Sequence, residues 1–561
     1  MHGFLAAGNI NIECLGQHTD MGQCRQYNHL LNKFPKDQVF LDEGEQISFL
    51  DGYVYNKEYF CLGGAKDWQH AFAQAMSADA AKCLRTLRGG FCGYVYSRQD
   101  SGLTAYTDQV SVKALYYYVK GDQWIVSNHI PYMTAVLKDN GIPYHFNETA
   151  AKYMLTYGYM LDDSTFIKEI HRLLPGQLVH IKNGAVEVKR YYLIPNKEVR
   201  MSEQEAVDRI DSAFREAVGR EFDKDREYGY RHLVDLSGGL DSRMVSWVAH
   251  DMGYTDQLNV TYCREDYLDY KISKQIAVHL GHEYLFKALD DANWLYDIDD
   301  IISKNNGAAL YTGITGGSRL LGLINTDQFG FEHTGMIGDI TLSTFYHDRE
   351  LNFGKPRLGL NQYSNRFSYA VDSQIMTEYS CQEMFAIYTR GMMGAMSSYM
   401  IRQHFIEVAS PFTDVDFLEV NYSIPFEYRD RHRIYLKWML EKYPQATQFG
   451  WEKWGGIKPR ADHIFLRRFK TAQRLLSQAA CKAFGVQNRD SMNPMDYWYQ
   501  RDQKIQNYYR AYYVQNIGHW AIDKELRSDI AQMFTDGNVT EKSMVLTVLA
   551  AAKICFQETK D

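Results

Sequence analysis

The sequence predicts an α+β domain in residues 1–195, followed by a doubly wound α/β domain in residues 196–561 with a helical extension from about residue 460. Three observations support this prediction. The first third of the chain reads as short strands and turns with interspersed helices, strand and helix patterns alternate from about residue 232, and the pattern is largely helical after about residue 370. The length of 561 residues fits two to four domains of ordinary size.

Three aromatic and β-branched runs predict strands in the first domain. They are residues 90–96 (GFCGYVY), 116–120 and 124–126. Gly and Asp residues around these runs favour turns. Such runs hold part of the 42 tyrosines of the chain, and we interpret these tyrosines as packing residues rather than as a binding stack.

The second domain begins with a predicted amphipathic helix. Ser202 and Glu205 form a capping-box pattern, and apolar residues follow at helical spacing. These apolar residues are Val207, Ile210, Phe214 and Val218.

Strands and helices then alternate along the chain. Residues 232–236 predict a strand, and the next apolar stripe predicts a helix that includes Met244, Val245, Val248 and Met252. Residues 258–262 predict a second strand, and the helix that follows is expected to end at Gly281. Residues 329–333 predict a further strand. This alternation is typical of a parallel sheet, in which ligands bind at the carboxyl ends of the strands.

The composition favours a globular protein that acts on small molecules. Apolar residues make up 45% of the chain and charged residues 23%, and the formal net charge of −8 provides no basic field for a nucleic-acid partner. Nine cysteines without a CxxC pair predict neither a disulfide framework nor a zinc site. The chain has no signal-peptide pattern and no apolar run of about 18 residues, so we expect a cytoplasmic protein without a membrane partner.

One motif between the first strand and the first helix of the predicted parallel sheet carries chemical information. It consists of Ser237, Gly238, Gly239, Leu240, Asp241 and Ser242. The glycines allow a tight turn with exposed N–H groups, the serines add hydroxyl donors, and the following helix turns its positive end towards the loop. Such a loop suits a pyrophosphate, and Asp241 supplies a carboxylate for magnesium. A Gly-rich turn without a ligand is the alternative; GxxxxGK[ST], GxSxG and HExxH motifs are absent.

This SGGLDS motif resembles the PP-loop of ATP pyrophosphatases, and further segments over about residues 1–460 resemble the asparagine synthetase family. In chain order, the segments are DGYVYN (51–56), Thr107-Asp108, Leu174-Pro175-Gly176, TGMIGD (334–339), EVASPFTD (407–414) and WEKW (451–454). They are similar to the family's NGEIYN, Arg-Asp, LPPG, SGEGAD, EARVPFLD and R-x-K-x-x-F segments. The resemblance implies an Ntn-hydrolase-like sandwich with an amidotransferase ancestry, followed by a PP-loop synthetase domain.

Two departures from the family pattern predict a changed activity. The family's amidotransferase nucleophile is a cysteine that becomes the first residue after removal of Met1, and His2 occupies that position here. Because imidazole cannot form the thioester, we expect no glutamine hydrolysis and a structural role for this domain. Met336 replaces the Glu of SGEGAD, which argues against free aspartate as the substrate. The family members β-lactam synthetase and lasso-peptide cyclase also lack the cysteine and join a carboxylate to an amine already present on the substrate.

The resemblance implies a role for each residue of the predicted nucleotide site. ATP would bind with its pyrophosphate on residues 237–242 and its adenine near Leu236, Tyr262 and Gly335, and Thr334 would be a further ATP-binding residue. Asp241 and Asp339 would hold Mg²⁺.

The resemblance also implies two catalytic residues. Lys453 would stabilise the developing charge, and Glu407 would orient or deprotonate the amine. The alternatives are a solvated surface lysine and a structural ion-pair partner. Asp269 is either a helix cap or a site residue. Ion pairs are predicted for Arg390, Arg433 and Lys437.

Together these inferences predict an AMP-forming ligase that adenylates a small-molecule or peptide carboxylate and couples it to an amine or ammonia. A second copy of the chain or a pathway enzyme is the candidate protein partner. Two alternatives stay open: an ammonia-dependent asparagine synthetase and a non-catalytic binding or assembly paralogue. A sulfur-transfer enzyme is disfavoured, because the chain shows neither a reactive cysteine pair nor a basic face.

Overall fold

A computed structural model describes residues 2–62, 65–313, 317–461, 476 and 491–556. The predicted fold class is confirmed, since an antiparallel domain precedes a parallel sheet and the chain ends in helices. None of the described helices is both long and apolar enough to span a bilayer.

Among the described residues, two antiparallel six-stranded sheets form the N-terminal sandwich. Their strands are β1 (Gly3–Gly8), β2 (Thr19–Met21), β3 (Cys24–His29), β4 (Val39–Glu43), β5 (Gln46–Val54), β6 (Gly89–Ser97), β7 (Gly102–Thr107), β8 (Tyr116–Lys120), β9 (Gln123–Ser127), β10 (His171–Arg172), β11 (Gln177–Lys182) and β12 (Ala185–Arg190). The first sheet has the order β10-β8-β9-β1-β3-β2, and the second has the order β12-β11-β7-β6-β5-β4.

The sandwich core lies between the two sheets and follows the two-residue period of the strands. Phe4 and Ala6 of β1 face the second sheet, where the ring of Phe49 lies 4.6 Å from that of Phe4. Leu5 and Ala7 belong to the opposite face and pack against helices. The tyrosines of β8 divide in the same way between these two cores, which supports their interpretation as packing residues.

Helices cover the outer faces of the sandwich. They are α1 (Lys57–Cys61), α2 (Trp68–Thr86), α3 (Ile130–Asp139) and α4 (Glu148–Tyr157). Buried side chains of α3 and α4 pack on the outer face of the first sheet, and those of α2 pack on the second sheet.

The described strands of the second domain form a five-stranded parallel sheet. They are β13 (Arg231–Asp235), β14 (Gln257–Cys263), β15 (Glu283–Ala288), β16 (Phe329–His333) and β17 (Glu407–Ala409). In the sheet order β15-β14-β13-β16-β17, the chain adds β14 and β15 on one side of β13 and then β16 and β17 on the other side. The crevice between β13 and β16 is therefore the switch point at which doubly wound sheets bind ligands.

The helices of the second domain surround this sheet. They are α5 (Glu203–Glu227), α6 (Asp241–Asp251), α7 (Leu268–Leu280), α8 (Ile298–Lys304), α9 (Ser318–Leu321), α10 (Gly338–Thr341), α11 (Arg349–Phe353), α12 (Gln382–Ala386), a π-helix (Ile387–Ala395), α13 (Ser397–Arg402), α14 (Val415–Ser423), α15 (Phe426–Arg429) and α16 (Arg433–Lys442). The predicted helix boundaries are confirmed at Ser202, whose side chain accepts from the N–H of Glu205, and at Gly281, which caps α7 with φ 73°.

Four C-terminal helices are described. They are α17 (Met495–Arg501), α18 (Gln503–Asn516), α19 (Lys524–Asp536) and α20 (Val539–Cys555). Helix α20 is largely buried and shares one core with α4 of the first domain and α8 of the second. The C-terminal helices thus hold the two domains together by apolar packing.

Candidate active site

Two loops meet at the switch point of the parallel sheet. Residues 236–240 join β13 to α6, and residues 334–337 join β16 to α10. Because β13 and β16 are neighbours and run in parallel, both loops leave the same edge of the sheet. The fold therefore brings together the predicted residues from 236 to 242 with Thr334, Gly335 and Asp339.

Hydrogen bonds within the first loop fix its shape. The backbone N–H of Ser237 donates to Oγ of Ser242 at 2.9 Å, and the two hydroxyl oxygens also lie 2.9 Å apart. The N–H of Gly239 donates to Oγ of Ser237 at 3.1 Å, and the N–H of Gly238 donates to Oδ1 of Asp269 at 2.7 Å. The serine hydroxyls organise the loop, so an anion bound there would have to compete for these donors.

The second loop lies directly against the start of α6, and glycine makes this approach feasible. A Cβ atom added to Gly335 would lie 2.4 Å from the backbone nitrogen of Ser242. A Cβ atom added to Gly338 would lie 2.6 Å from Cγ of Asp241. Both distances are shorter than any side chain tolerates, so these glycines allow the two loops to form one wall of the crevice.

Asp241 is the first residue of α6 and lies between acidic and donor groups. Burial and then the carboxylate of Asp339 raise the pKa of Asp241 to about 8, against the opposing effects of Tyr435 and Lys453. The hydroxyl of Tyr435 donates to Oδ1 of Asp241 at 2.9 Å. Asp339 is exposed at the first turn of α10. The donor set fits a divalent cation, because two neighbouring carboxylates repel each other until a positive charge joins them.

Arg243 connects the first loop to the segment after α16. Its buried guanidinium donates to the carbonyl oxygens of Gly238 and Ala446 at 3.1 Å and to that of Phe449 at 3.3 Å. It also donates to the carbonyl oxygen of Gly450. This side chain therefore fixes the loop from below, a role that the sequence did not reveal.

A short segment around Lys453 covers the loop from the other side. The N–H of Glu452 donates to the carbonyl oxygen of Gly238 at 3.0 Å, and the hydroxyl of Tyr267 donates to the Glu452 carboxylate. Lys453 is exposed, and its Nζ lies 6.0 Å from the ring centre of Trp451. The structure thus brings the predicted Lys453 to the edge of the loop and close enough to Asp241 to lower its pKa.

The predicted ATP-binding residues outside the first loop differ in their surroundings. Leu236 is buried, and its backbone N–H donates to the carbonyl of Val260 at 2.9 Å. The Tyr262 hydroxyl accepts from the buried Arg402. The hydroxyls of Thr334 and Tyr399 form a hydrogen bond of 3.0 Å. Leu236 and Thr334 therefore line the switch point, whereas Tyr262 faces α13.

The comparisons with known proteins concern both domains. Residues 71–192 match the model of a glutamine amidotransferase domain. The chain is 22% identical to a glutamine-hydrolyzing asparagine synthetase 1 of Bacillus subtilis over 218 residues, which are 38% of this chain and 33% of that protein. A Methanocaldococcus jannaschii protein with a provisional asparagine synthetase name is 21% identical over 313 residues, 52% of this chain and 59% of that protein. This protein is a distant homologue of asparagine synthetases with a class II glutamine amidotransferase domain.

Two further comparisons give weaker similarity. Amidase chyE of Penicillium rubens is 26% identical over 229 residues, 38% of this chain and 32% of that protein. The solved structure of a glutamine phosphoribosylpyrophosphate amidotransferase from B. subtilis gives a TM-score of 0.24 at 9% identity, covering 51% of this chain and 91% of that chain. The chain spans between 32% and 59% of the length of the curated relatives that it matches.

His2 immediately precedes β1 in the first domain. The Nδ1 atom of His2 lies 3.0 Å from the carbonyl oxygen of His404, and the backbone N–H of His2 donates to Nδ1 of His404 at 3.1 Å. A cavity of about 30 Å³ beside His2 is bordered by Asp51, Lys113 and His129. His2, which the sequence predicted to occupy the family's nucleophile position, is therefore hydrogen-bonded to the second domain.

Glu407 lies at the interface between the two domains instead of at the loop after β13. It begins β17 and is completely buried, and its Oε1 lies 2.7 Å from Nζ of Lys113. Lys113 Nζ also lies 3.3 Å from Oδ2 of Asp51. Burial raises the pKa of Glu407, and the charge of Lys113 opposes this effect. Its burial and its ion pair with Lys113 are typical of a structural ion-pair partner. The catalytic role of Glu407 stays a prediction.

Proposed function

We propose that the protein is an ATP-dependent ligase that adenylates a substrate carboxylate and then couples it to an amine or ammonia, without hydrolysing glutamine. The observation that carries this proposal is that residues 236–242, which include Asp241, lie beside the loop and helix that carry Asp339 at the switch point. The distant asparagine synthetase homologues support an amide-forming activity in general and do not specify its substrates.

The proposed reaction assigns a task to each part of the site. The substrate carboxylate attacks the α-phosphate of ATP, and pyrophosphate leaves towards the serine hydroxyls of the loop and the N-terminus of α6. An amine then displaces AMP. Lys453, which is exposed at the edge of the loop, would offset negative charge on the reacting phosphate. Mg²⁺ held by Asp241 and Asp339 would neutralise phosphate oxygens when bound.

Removal of the Asp241 carboxylate tests this proposal. Asp241→Asn should lower magnesium-dependent, substrate-stimulated pyrophosphate release at least 100-fold, measured with aspartate, β-amino acids and peptide carboxylates as probes. Asp251→Asn is the matched control, because Asp251 ends the same helix and pairs at the surface with Arg215 at 2.6 Å. Unchanged release by the Asp241 variant would refute the metal assignment. ATP binding without any release would favour the non-catalytic paralogue.

The absence of glutamine hydrolysis is tested separately. The purified protein should form no glutamate from glutamine, whereas an amine or ammonia should support product formation. Glutamate production that depends on His2 would overturn this part of the proposal.

A further inference from the structure

Two histidines and a carboxylate lie buried together between α5 and the parallel sheet. Among the described residues, Asp225, His232 and His333 form a group of metal-ligating side chains whose donor atoms all lie within 4.8 Å of one another. Their side chains are at most 4% exposed. Because they come from three segments up to 108 positions apart, no spacing along the chain reveals them. The cysteine pattern predicted no zinc site, but a site built from histidine and carboxylate needs no cysteine.

The register of the sheet turns both histidines towards α5. His333 ends β16 and pairs with Val234 of β13, and His232 precedes Val234 by two residues. Paired residues of neighbouring strands, and residues two positions apart in one strand, point to the same face of a sheet. Asp225 lies in the last turn of α5, which packs against β13 and β16. Three secondary-structure elements therefore converge on one point.

One carboxylate oxygen of Asp225 lies at the centre of this cluster. Its Oδ2 lies 3.0 Å from Nδ1 of His232 and 2.8 Å from Nε2 of His333. Its Oδ1 accepts from the N–H of Phe331 at 3.1 Å, which fixes the orientation of the carboxylate. On the far side of the His333 ring, Nδ1 lies 3.3 Å from Oε2 of Glu221. Ligand atoms of a tetrahedral zinc ion lie about 3.3 Å apart, so small side-chain shifts would admit the ion.

With both histidines neutral, the cluster has one hydrogen atom too few for its hydrogen bonds. A neutral imidazole carries a single N–H. If the N–H of His333 lies on Nε2 and donates to Asp225, Nδ1 of His333 and an ionised Glu221 are two acceptors that face each other. A second proton on the ring is disfavoured, because burial lowers the pKa of His333, whereas burial raises the pKa of Glu221 to about 7 and so favours a proton there. A cation on Nε2 also removes the conflict, because the N–H then lies on Nδ1 and donates to Glu221.

The surroundings of the cluster match those of metal-bound histidines. Such histidines almost always donate their other ring N–H to a carboxylate or carbonyl, and Glu221 lies in that position for His333. The ring of Phe222 stacks on that of His333 with 3.8 Å between the centres and lies 4.7 Å from that of His232. This aromatic cover excludes water and holds both imidazoles in place. Imidazole nitrogens combined with a carboxylate oxygen are donors that suit zinc.

We propose that Asp225, His232 and His333 bind one zinc ion that joins the end of α5 to β13 and β16. Glu221 is the positioning residue that holds the ring of His333. The ion is structural, because its ligands are buried beneath an aromatic side chain. Residues 334–337 start directly after His333, so the ion also anchors the strand from which one wall of the crevice extends. This inference goes beyond the proposed ligase function and does not depend on it.

The metal content of the full chain tests the inference. Protein purified from a zinc-supplemented culture and dialysed against metal-free buffer should contain about one zinc ion per chain by inductively coupled plasma mass spectrometry. Growth with cobalt instead of zinc should give the visible d–d absorption of a cobalt ion bound by nitrogen and oxygen ligands. His333→Phe, which keeps an aromatic ring beside Phe222, should lower the zinc content at least about fivefold. Glu221→Gln should keep the ion but weaken its affinity about tenfold, measured by competition with a chromophoric chelator.

Two control variants should keep the full zinc content. His145→Gln removes an exposed histidine that lies 2.6 Å from the Glu169 carboxylate, and Asp241→Asn removes the predicted magnesium ligand. Wild-type protein with less than about a tenth of an equivalent of zinc would overturn the proposal, as would a folded His333→Phe variant that retains the ion. If His333→Phe does not fold, an unchanged zinc affinity of Glu221→Gln counts against the site and a weakened one supports it. Loss of zinc from Asp241→Asn would also overturn the proposal, because it would place the ion in the crevice.

Discussion

Arg243 illustrates a residue whose importance cannot be read from local sequence. The helical pattern identifies Met244, Val245 and Val248 as one apolar face. From this pattern alone, the neighbouring Arg243 would be expected to lie in solvent. In the structure, the segment after α16 covers that side of α6 and buries Arg243 completely. Since this covering segment lies some 200 positions further along the chain, no local pattern could predict it.

Replacement of Arg243 should therefore destabilise both the fold and the loop. Arg243→Met leaves several buried carbonyl oxygens without donors, which should cost about 2–4 kcal/mol in the free energy of unfolding. Urea unfolding measures this cost. Arg209→Met is the control, because Arg209 is an exposed residue of α5, and we expect it to change the free energy of unfolding by no more than about 0.5 kcal/mol. ATP-analogue binding should also weaken, because Arg243 holds the carbonyl of Gly238. Equal stability of the two variants would contradict this account.

An ion pair can be predicted from sequence only where its two partners are close along the chain or where an exposed charged side chain can reach several groups of opposite charge. Arg433 pairs with Glu203 at 2.8 Å and Lys437 with Glu441 at 2.7 Å, so these two predictions are confirmed. Arg390 was predicted in the same way but borders a cavity. The difference arises from tertiary packing at the domain junction, which the spacing of charges along a helix does not encode.

At the scale of elements, the start of α7 supports the loop after β13. Asp269 lies in the first turn of α7 and accepts from the N–H of Gly238. The sequence left open whether Asp269 is a cap or a site residue. The structure makes it a support of the loop, and burial and then the charge of Glu452 raise the pKa of Asp269 to about 7.

This shift predicts a pH dependence of stability. The carboxyl group of Asp269 is protonated in the folded state up to about pH 7 but ionises near pH 4 in the unfolded chain. The folded state therefore binds the additional proton between these values, and its contribution to stability falls as the pH rises through this window, by at most about 1.4 kcal/mol per unit. Asp269→Asn should flatten the urea-unfolding profile between pH 4 and 7. Asp251→Asn is the control, and identical profiles for wild type and Asp269→Asn would contradict the prediction.

The elements themselves were largely predictable because their signals are local. Strand β13, helix α6, strand β14 and the end of α7 follow from runs of apolar residues and from Gly281. The sheet order, the π-helix before α13 and the position of Glu407 depend on contacts between distant segments. The family resemblance supplied the loop residues but placed Glu407 by alignment alone, without the lysine that the other domain contributes.

At the scale of the whole molecule, a buried ion cluster joins the two domains. Lys113 lies after β7 in the first domain, and its partners are Asp51 of the same domain and Glu407 of the second domain. Burial lowers the pKa of Lys113, and the two carboxylates more than offset this effect, so that the pKa is raised overall. The first domain thus has a charged contact with the second domain at a place where the resemblance predicts no remaining catalysis.

Breaking this cluster should uncouple the domains. Lys113→Met leaves two buried carboxylates without a counter-charge and should cost about 3–5 kcal/mol in the apparent free energy of unfolding. The addition of Glu407→Gln should recover part of that loss, because it removes one uncompensated charge. Lys182→Met is the matched control, since Lys182 pairs with Asp100 at the surface and should cost less than about 1 kcal/mol. Urea unfolding and limited proteolysis between residues 190 and 203 measure the outcome. If Lys113→Met is no less stable than Lys182→Met, the ion cluster does not hold the domains together and the apolar core around α20 alone must do so.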